Sequence, residues 1–494
     1  MIEGLKRLTK HSFIYAIGSG IQGIAGLLLI PVYTKTLSVA DYGQYELLNT
    51  ISLILVSVLS LGFASAYIKT AERDINKEKE KKKLAGTAVF FVLIFATTLL
   101  LILSLFVDPI ASVFNFGKTT YLYIIFASAL ALIIGNLGFS MLRSNEQSIK
   151  YTVIYIIRFL LILGLNVTLV LVFKKGIEGI LTGLLLANSI TLLLLLPTFF
   201  KNVSFTFSKK LFKKLLVFGL AIIPASLALW VMDLIDRYFI NHYHGFAEVG
   251  VYSLAYKFGI AMAIMLVTPF QLAWPTVSFS LADKPDARKM YGRVLTYFVT
   301  IALFIALTFT FFSTHIIRII ATNAYEGASI IVLPVTLSYV FLGIHYIVVV
   351  GLHLKERSHL YPILIVFPAL LNIILNYLLV PPYGMIGAAI TTFISFLFMG
   401  ILTVALVQKY YAFVYEKKRL VIAFFAAALA LSVHLLFKSS LLPIDLMIQC
   451  VSLTLFVLIL ILFKFFTKKE VFYVKQLPHY LKTYATRRNH SGSK

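Results

Sequence analysis

The sequence predicts an all-α polytopic membrane protein of about fourteen transmembrane helices, arranged as two parallel six-helix repeats plus two C-terminal helices. Three observations predict it. Uncharged apolar runs of about twenty residues recur from end to end, each long enough to cross ~30 Å of hydrocarbon as a helix. Lys and Arg are distributed lopsidedly between successive loops. Two short motifs recur at nearly one spacing. Composition agrees, since 60% of the 494 residues are apolar and 13% are charged, against about 25% charged in an ordinary soluble domain. A membrane β-barrel would instead show alternating segments of ~10 residues, which the sequence lacks.

The expected spans are 12–34, 45–68, 84–107, 120–142, 151–173, 177–200, 215–240, 250–273, 294–313, 327–354, 360–380, 385–408, 420–437 and 446–466. The first follows Lys6, Arg7 and Lys10 and could pass for a signal peptide. Its apolar stretch from Ser12 to Tyr33 is too long for an h-region and is interrupted by Gly18, Gly20, Gln22 and Gly23, so a retained helix is expected. The remaining spans are separated by charged or turn-forming segments. The domain organisation that follows is a six-helix lobe over 1–208, a second over 209–410, two extra helices over 411–466 and a basic tail over 467–494.

With the N-terminus on the cytoplasmic side, 35 of the 44 basic residues fall in cytoplasmic segments and six on the opposite side. Cytoplasmic loops are enriched in Lys and Arg, so this asymmetry supports both the even count and the orientation, with both termini cytoplasmic. The net charge of +24 then reflects topology. Basic loops such as Lys77 to Lys83 and Lys209 to Lys214 hold the chain inside and attract anionic lipid. Nucleic acid is not an expected partner, because no folded domain is available to present a groove or stacking platform. The longest external loops, Asp108 to Thr119 and His315 to Glu326, hold no catalytic domain. The single cysteine, Cys450, permits no intrachain disulfide. Gly117-Lys118-Thr119 resembles the end of a P-loop but lacks the Gly five residues earlier, where Ser112 stands. No metal or cofactor motif is present, and none is expected to be needed.

The repeat is read from two motifs. Ala40-Asp41-Tyr42-Gly43-Gln44-Tyr45 follows the first span and Ala247-Glu248-Val249-Gly250-Val251-Tyr252 follows the seventh, at an offset of 207. Gly176-Ile177-Glu178-Gly179 opens the sixth and Gly384-Met385-Ile386-Gly387 opens the twelfth, at an offset of 208. Six is even, so both halves begin on the same side. The expected relation is a pseudo-two-fold axis along the membrane normal, with a site between the halves. Gly179 and Gly183 also suit close helix packing.

The basic N-terminus, the Gly-rich first helix ending Ile30-Pro31-Val32-Tyr33, and Leu37-Ser38-Val39-Ala40-Asp41-Tyr42-Gly43 together resemble the opening of Wzx-type oligosaccharide flippases. These are polysaccharide biosynthesis proteins of the multidrug/oligosaccharidyl-lipid/polysaccharide exporter superfamily. Tyr383 to Ala389 resembles the same family's entry to the twelfth helix. The resemblance implies a fold like that of MATE and MurJ proteins in a bacterial cytoplasmic membrane. It further implies transfer of an undecaprenyl-diphosphate-linked oligosaccharide to the outer leaflet, in a pathway such as O-antigen or exopolysaccharide synthesis. Glycan polymerase and glycosyltransferases are the implied partners.

Charges within spans are expensive, so each calls for a reason. The seventh span carries Asp233, Asp236 and Arg237 near its outer end. Asp233 and Arg237 are spaced i,i+4 with the acid first, which suits an ion pair and leaves Asp236 without an evident partner. Asp233 and Asp236 are therefore candidate proton or Na⁺ coupling residues. By the repeat offset Ser253, Tyr256 and Lys257 correspond to Glu46, Asn49 and Thr50, two polar stripes expected to wall one central cavity. Arg158, in the fifth span, either joins that cavity or snorkels to the interface. Arg158, Arg237, Lys257, Glu46 and Asn49 are the candidate substrate-binding residues, the basic ones suited to a diphosphate. His345, His353 and His434 are expected in polar packing. The alternatives are a cation-coupled multidrug antiporter of the same superfamily, favoured by the two aspartates but opposed by three basic residues, and a polytopic glycosyltransferase or polymerase, which would need larger outer loops.

Overall fold

A computed structural model describes residues 26–75, 77–439, 441–467 and 470, and all regular structure among them is helical. A short helix α1, Ile30–Thr36, ends the first expected span. The rest of that span and the basic tail beyond 470 lie outside the described residues.

Twelve helical stretches among the described residues are long and apolar enough to cross a membrane. In order they begin α2 Val39–Arg73, α3 Glu78–Ser104, α4 Thr120–Ser144, α5 Ser148–Val172 and α6 Gly176–Asn202. They continue with α7 Lys209–His244, α8 Phe246–Leu281, α9 Ala287–Ile320 and α10 Asn323–Leu354. The stretch Ser358–Tyr410 has 53 residues; at 1.5 Å per residue that is roughly 80 Å, over twice the ~30 Å hydrocarbon core. It is two helices, α11 and α12, on either side of Gly384, whose φ of 52° and ψ of −134° break the helix. α13 Lys417–Phe437 and α14 Leu442–Leu462 complete the set. Thirteen of the fourteen expected spans thus have a counterpart. Several run past the expected ends, because an apolar run stops at the first charge whereas backbone hydrogen bonding continues into the interface.

Burial has the polarity of a membrane protein. Leu105, Leu436 and Phe205 are about four-fifths exposed, while Asn372, Asn376, Thr392, Ser395 and Thr403 are fully buried. Apolar side chains on this scale cannot face water as a continuous surface; they face lipid, and the polar groups face other helices.

The chain forms two compact units. One takes in the described residues within Met1–Val277 and Ser313–Tyr411, the other those within Ser278–Phe312 and Ala412–Lys494. In the first, α2 and α8 cross where the repeated motifs bring glycine against glycine. A Cβ on Gly43 would lie 2.7 Å from the Gly250 nitrogen, and one on Gly250 would strike the Val39 carbonyl oxygen. Only glycine allows this approach. α4 meets α6 through Asn188, which donates to Ser128 Oγ at 2.9 Å, and α10 meets α12 through His345 and Thr403 at 2.7 Å. The second unit holds α13 and α14. There Arg419 donates to the Phe465 carbonyl at 2.7 Å, to Glu416 at 2.9 Å and to Glu470 at 2.8 Å. Burial opposes ionisation of the Glu470 carboxyl, yet hydrogen bonds from Tyr297, Thr467 and Arg419 hold it down at about 2. His434 stacks on Phe311 with centroids 4.4 Å apart.

Candidate functional site

Toward the C-terminal end of α7, Asp233, Asp236 and Arg237 meet a pair of tyrosines on α8. Asp233 and Asp236 are i,i+3 on one helix and Tyr252 and Tyr256 are i,i+4 on the other, so both pairs fall about one turn apart. Each tyrosine hydroxyl donates to one aspartate: Tyr256 to Asp233 Oδ1 at 2.8 Å, and Tyr252 to Asp236 Oδ2.

Arg237 is 2% exposed. The expected ion pair with Asp233 does not form. Arg237 Nη1 donates instead to the Asp233 backbone carbonyl at 2.8 Å, while Tyr256 donates to the Asp233 carboxylate. The guanidinium carbon stands 4.6 Å from the Tyr256 ring centroid and 5.7 Å from that of Tyr252. Its Nε has no hydrogen-bond partner. Among the described residues, no carboxylate is bonded to this buried cation; π faces and a carbonyl touch it, and Glu46 and Asp236 act on it electrostatically from further off.

Asp236, read from sequence as lacking a partner, is fully buried and well supplied with donors. Besides Tyr252 it accepts from Thr392 Oγ1 at 2.6 Å and Asn376 Nδ2 at 2.7 Å. Asn376 in turn donates to Asn372 Oδ1 at 3.1 Å. The donors come from α8, α11 and α12, up to 156 positions away in sequence, beyond the reach of a local spacing argument. A carboxylate, two hydroxyls and an amide N–H here converge from four helices.

The polar stripes on α2 and α8 touch directly rather than facing each other across open space. Lys257 Nζ lies 2.7 Å from Glu46 Oε1 and 2.9 Å from Oε2, and the pair is largely buried. The glycine crossing next to them leaves no room for water between the two backbones. Asn49 is half-buried. Thr50 turns its hydroxyl back to the Glu46 carbonyl at 2.9 Å and lines a chamber of about 350 Å³ between α2 and α7, walled also by Leu47, Ile54, Leu234 and Tyr238. The chamber is apolar and lies one turn from the charged cluster.

Arg158 is not brought to this cluster. It is 5% exposed, so it does not snorkel. Its electrostatic partners are Tyr155 and Tyr151 on its own helix, and its Nε has no hydrogen-bond partner. His345 and His353 bond to Thr403 and Ser358, in keeping with packing roles.

Sequence reasoning missed Tyr252, Asn372, Asn376 and Thr392 and read Tyr256 only as part of a stripe. A signal existed: two asparagines at i,i+4 within an apolar span carry a cost that calls for partners.

Residues 8–279 match the family model described as polysaccharide biosynthesis protein. An uncharacterized membrane protein of Methanocaldococcus jannaschii is 25% identical over 211 residues, which take in 41% of this chain and 41% of that protein. Among solved structures, the lipid II flippase MurJ in an inward closed conformation superposes with a TM-score of 0.73 and 17% identity, over 90% of this chain and 98% of that one. An inward-facing multidrug resistance MATE transporter gives 0.63 and 15%, over 81% of this chain and 94% of that one. A Vibrio cholerae MATE transporter gives 0.59 and 16%, over 82% and 96%. At these identities the likeness to the solved structures establishes a shared fold.

Proposed function

Because the chain belongs to the polysaccharide biosynthesis protein family, we propose that it is a flippase for an undecaprenyl-diphosphate-linked oligosaccharide. It carries this lipid from the cytoplasmic to the outer leaflet of a bacterial cytoplasmic membrane, with both termini cytoplasmic. The two six-helix lobes, 1–208 and 209–410, alternate access to the lipid's head. No bond is made or broken, and glycosyltransferases and a polymerase act before and after it.

Arg237 carries this reading. Glu46 and Asp236 act on this guanidinium only at a distance, so part of its desolvation cost at membrane depth stays unmet, and a visiting anion bonded to it reduces that cost during each cycle. Arg suits a diphosphate because its fork makes paired hydrogen bonds. Lys257 supplies the second cation. Glu46 holds Lys257 in the empty state, and the diphosphate displaces Glu46 as α2 and α8 part. An inside-negative potential assists outward movement of the anion by about 2.3 kcal/mol per charge per 100 mV.

Arg237→Ala and Lys257→Ala are expected to abolish glycan export at normal protein level, and Arg237→Lys to retain part of it. The pairing of Arg237→Ala with Asp233→Asn separates substrate binding from charge balance. If Arg237 grips substrate, the double variant stays as defective as the single change. Restored export would remove Arg237 from the site. Asp236, a buried carboxylate, favours a cation-coupled cycle, with H⁺ or Na⁺ as the coupling ion. The same feature supports the antiporter alternative, which export of an organic cation with no effect on glycan would establish.

A further inference from the structure

The C-terminal end of α2 and the start of α7 enclose an open cleft of about 570 Å³, within the range of small-ligand sites. It lies beyond a crossing where Gly62 and Gly219 meet backbone to backbone. Lys69 and Asp74 line it from α2, and Lys210, Lys213 and Lys214 from α7. Two lysines are engaged. Lys69 Nζ stands 3.8 Å over the Phe218 ring, and Lys214 Nζ lies 3.6 Å from Asp74 Oδ2. Lys210 and Lys213 have no counter-charge among the described residues.

This arrangement breaks two local rules at once. A helix N-terminus carries a partial positive charge that disfavours cations, yet the first turn of α7 holds no acid and begins with lysines. Like charges at i,i+3 and i,i+4, as Lys210 stands to Lys213 and Lys214, destabilise a helix. Positive-inside topology asks for lysines in the loop but not for four of them around one concavity. A polyanion seated in the cleft reverses both penalties. It would also touch α2 of the first repeat and α7 of the second, at the end that the lysine and arginine distribution assigns to the cytoplasm.

We propose that this cleft binds a phosphate-bearing lipid headgroup at the cytoplasmic mouth, where the cargo's diphosphate is held before it reaches Arg237 and Lys257. The identity of the cargo rests on the flippase reading; the binding itself does not. An anionic phospholipid of the inner leaflet presents the same chemistry, so the test separates the two sources.

The full chain in phosphatidylcholine nanodiscs is titrated with undecaprenyl diphosphate, and bound lipid is counted by native mass spectrometry. The double variant Lys210→Gln with Lys213→Gln is expected to bind roughly tenfold more weakly, with its thermal midpoint not lowered, because both side chains are exposed and their repulsion is relieved. A charge-matched control on the neighbouring basic segment, Lys81→Gln with Lys83→Gln, should bind as the unaltered chain does. Arg237→Ala should keep this binding while losing export, so failure of the central site and failure of the mouth site read differently. Phosphatidylglycerol that displaces the diphosphate at equal concentration assigns the cleft to bilayer lipid; displacement only at large excess assigns it to cargo. Equal weakening in the cleft and control variants, or none in either, would overturn the proposal.

Discussion

Arg237 and Asp236 are neighbours in sequence with opposite surroundings. Arg237 is sheathed by two tyrosine rings and one carbonyl with its Nε unpartnered, and aromatic faces offset only part of a guanidinium's desolvation. Asp236 takes three side-chain hydrogen bonds from three helices, which support its charge where Arg237 has no comparable partners. Asp236→Asn keeps the size of the group and removes its charge. It is expected to eliminate stimulation of transport by an inward H⁺ or Na⁺ gradient in proteoliposomes and to lower the rate about tenfold, since an uncoupled carrier loses its driving ion. Retention of full gradient stimulation would remove Asp236 from coupling. The charged members of this cluster were legible in the sequence, because an ion in an apolar run stands out. Their partners were not, since Tyr252, Asn376 and Thr392 look like ordinary polar residues until three more helices bring them to one carboxylate.

At the level of elements, the two repeated motifs prove to be parts of joints. Gly43 and Gly250 are the same motif position in each half, and they meet each other where α2 crosses α8. The motif's acid has a job as well. Glu248 Oε1 accepts from the Met385 backbone N–H at the break between α11 and α12, so the acid of one motif caps the helix opened by the other. Gly384 sits there with positive φ, and a Cβ on it would strike the Glu248 carboxylate. Gly384→Ala therefore meets backbone strain and displaces the cap, a loss of about 1–3 kcal/mol. It should lower the thermal midpoint in detergent, whereas Gly117→Ala, with open space around it, should not. Equal midpoints for the two would show the kink to be tolerant. The recurrence of these motifs was visible in the sequence; that they touch one another was not.

Among the described residues, the exposed surface carries many large apolar side chains, whereas buried positions hold both an apolar core and hydroxyl and amide side chains. The proposed cytoplasmic placement of both ends is tested with one reporter fused at the N-terminus, ahead of the first span, and another after Thr467, both of which should report inside. An outside report at the second would mean an odd number of crossings between them and would remove the basis for calling the mouth cleft cytoplasmic. The close contact of α2 with α8 matters at this scale too. In the proposed cycle these helices separate, and the Lys257–Glu46 bond is exchanged for contact with the cargo.

The sequence by itself determined the helical membrane class, the approximate spans, the break near Gly384 and the family, because each follows from local hydropathy, turn chemistry or a short contiguous motif. Only the tertiary structure decided who pairs with whom. Asp233 bonds to Tyr256 rather than to Arg237, Glu46 takes Lys257, and Arg158 packs apart from both. The reason is physical. A buried charge chooses its partner by distance across packed helices, and one-dimensional spacing ranks only the candidates on its own helix.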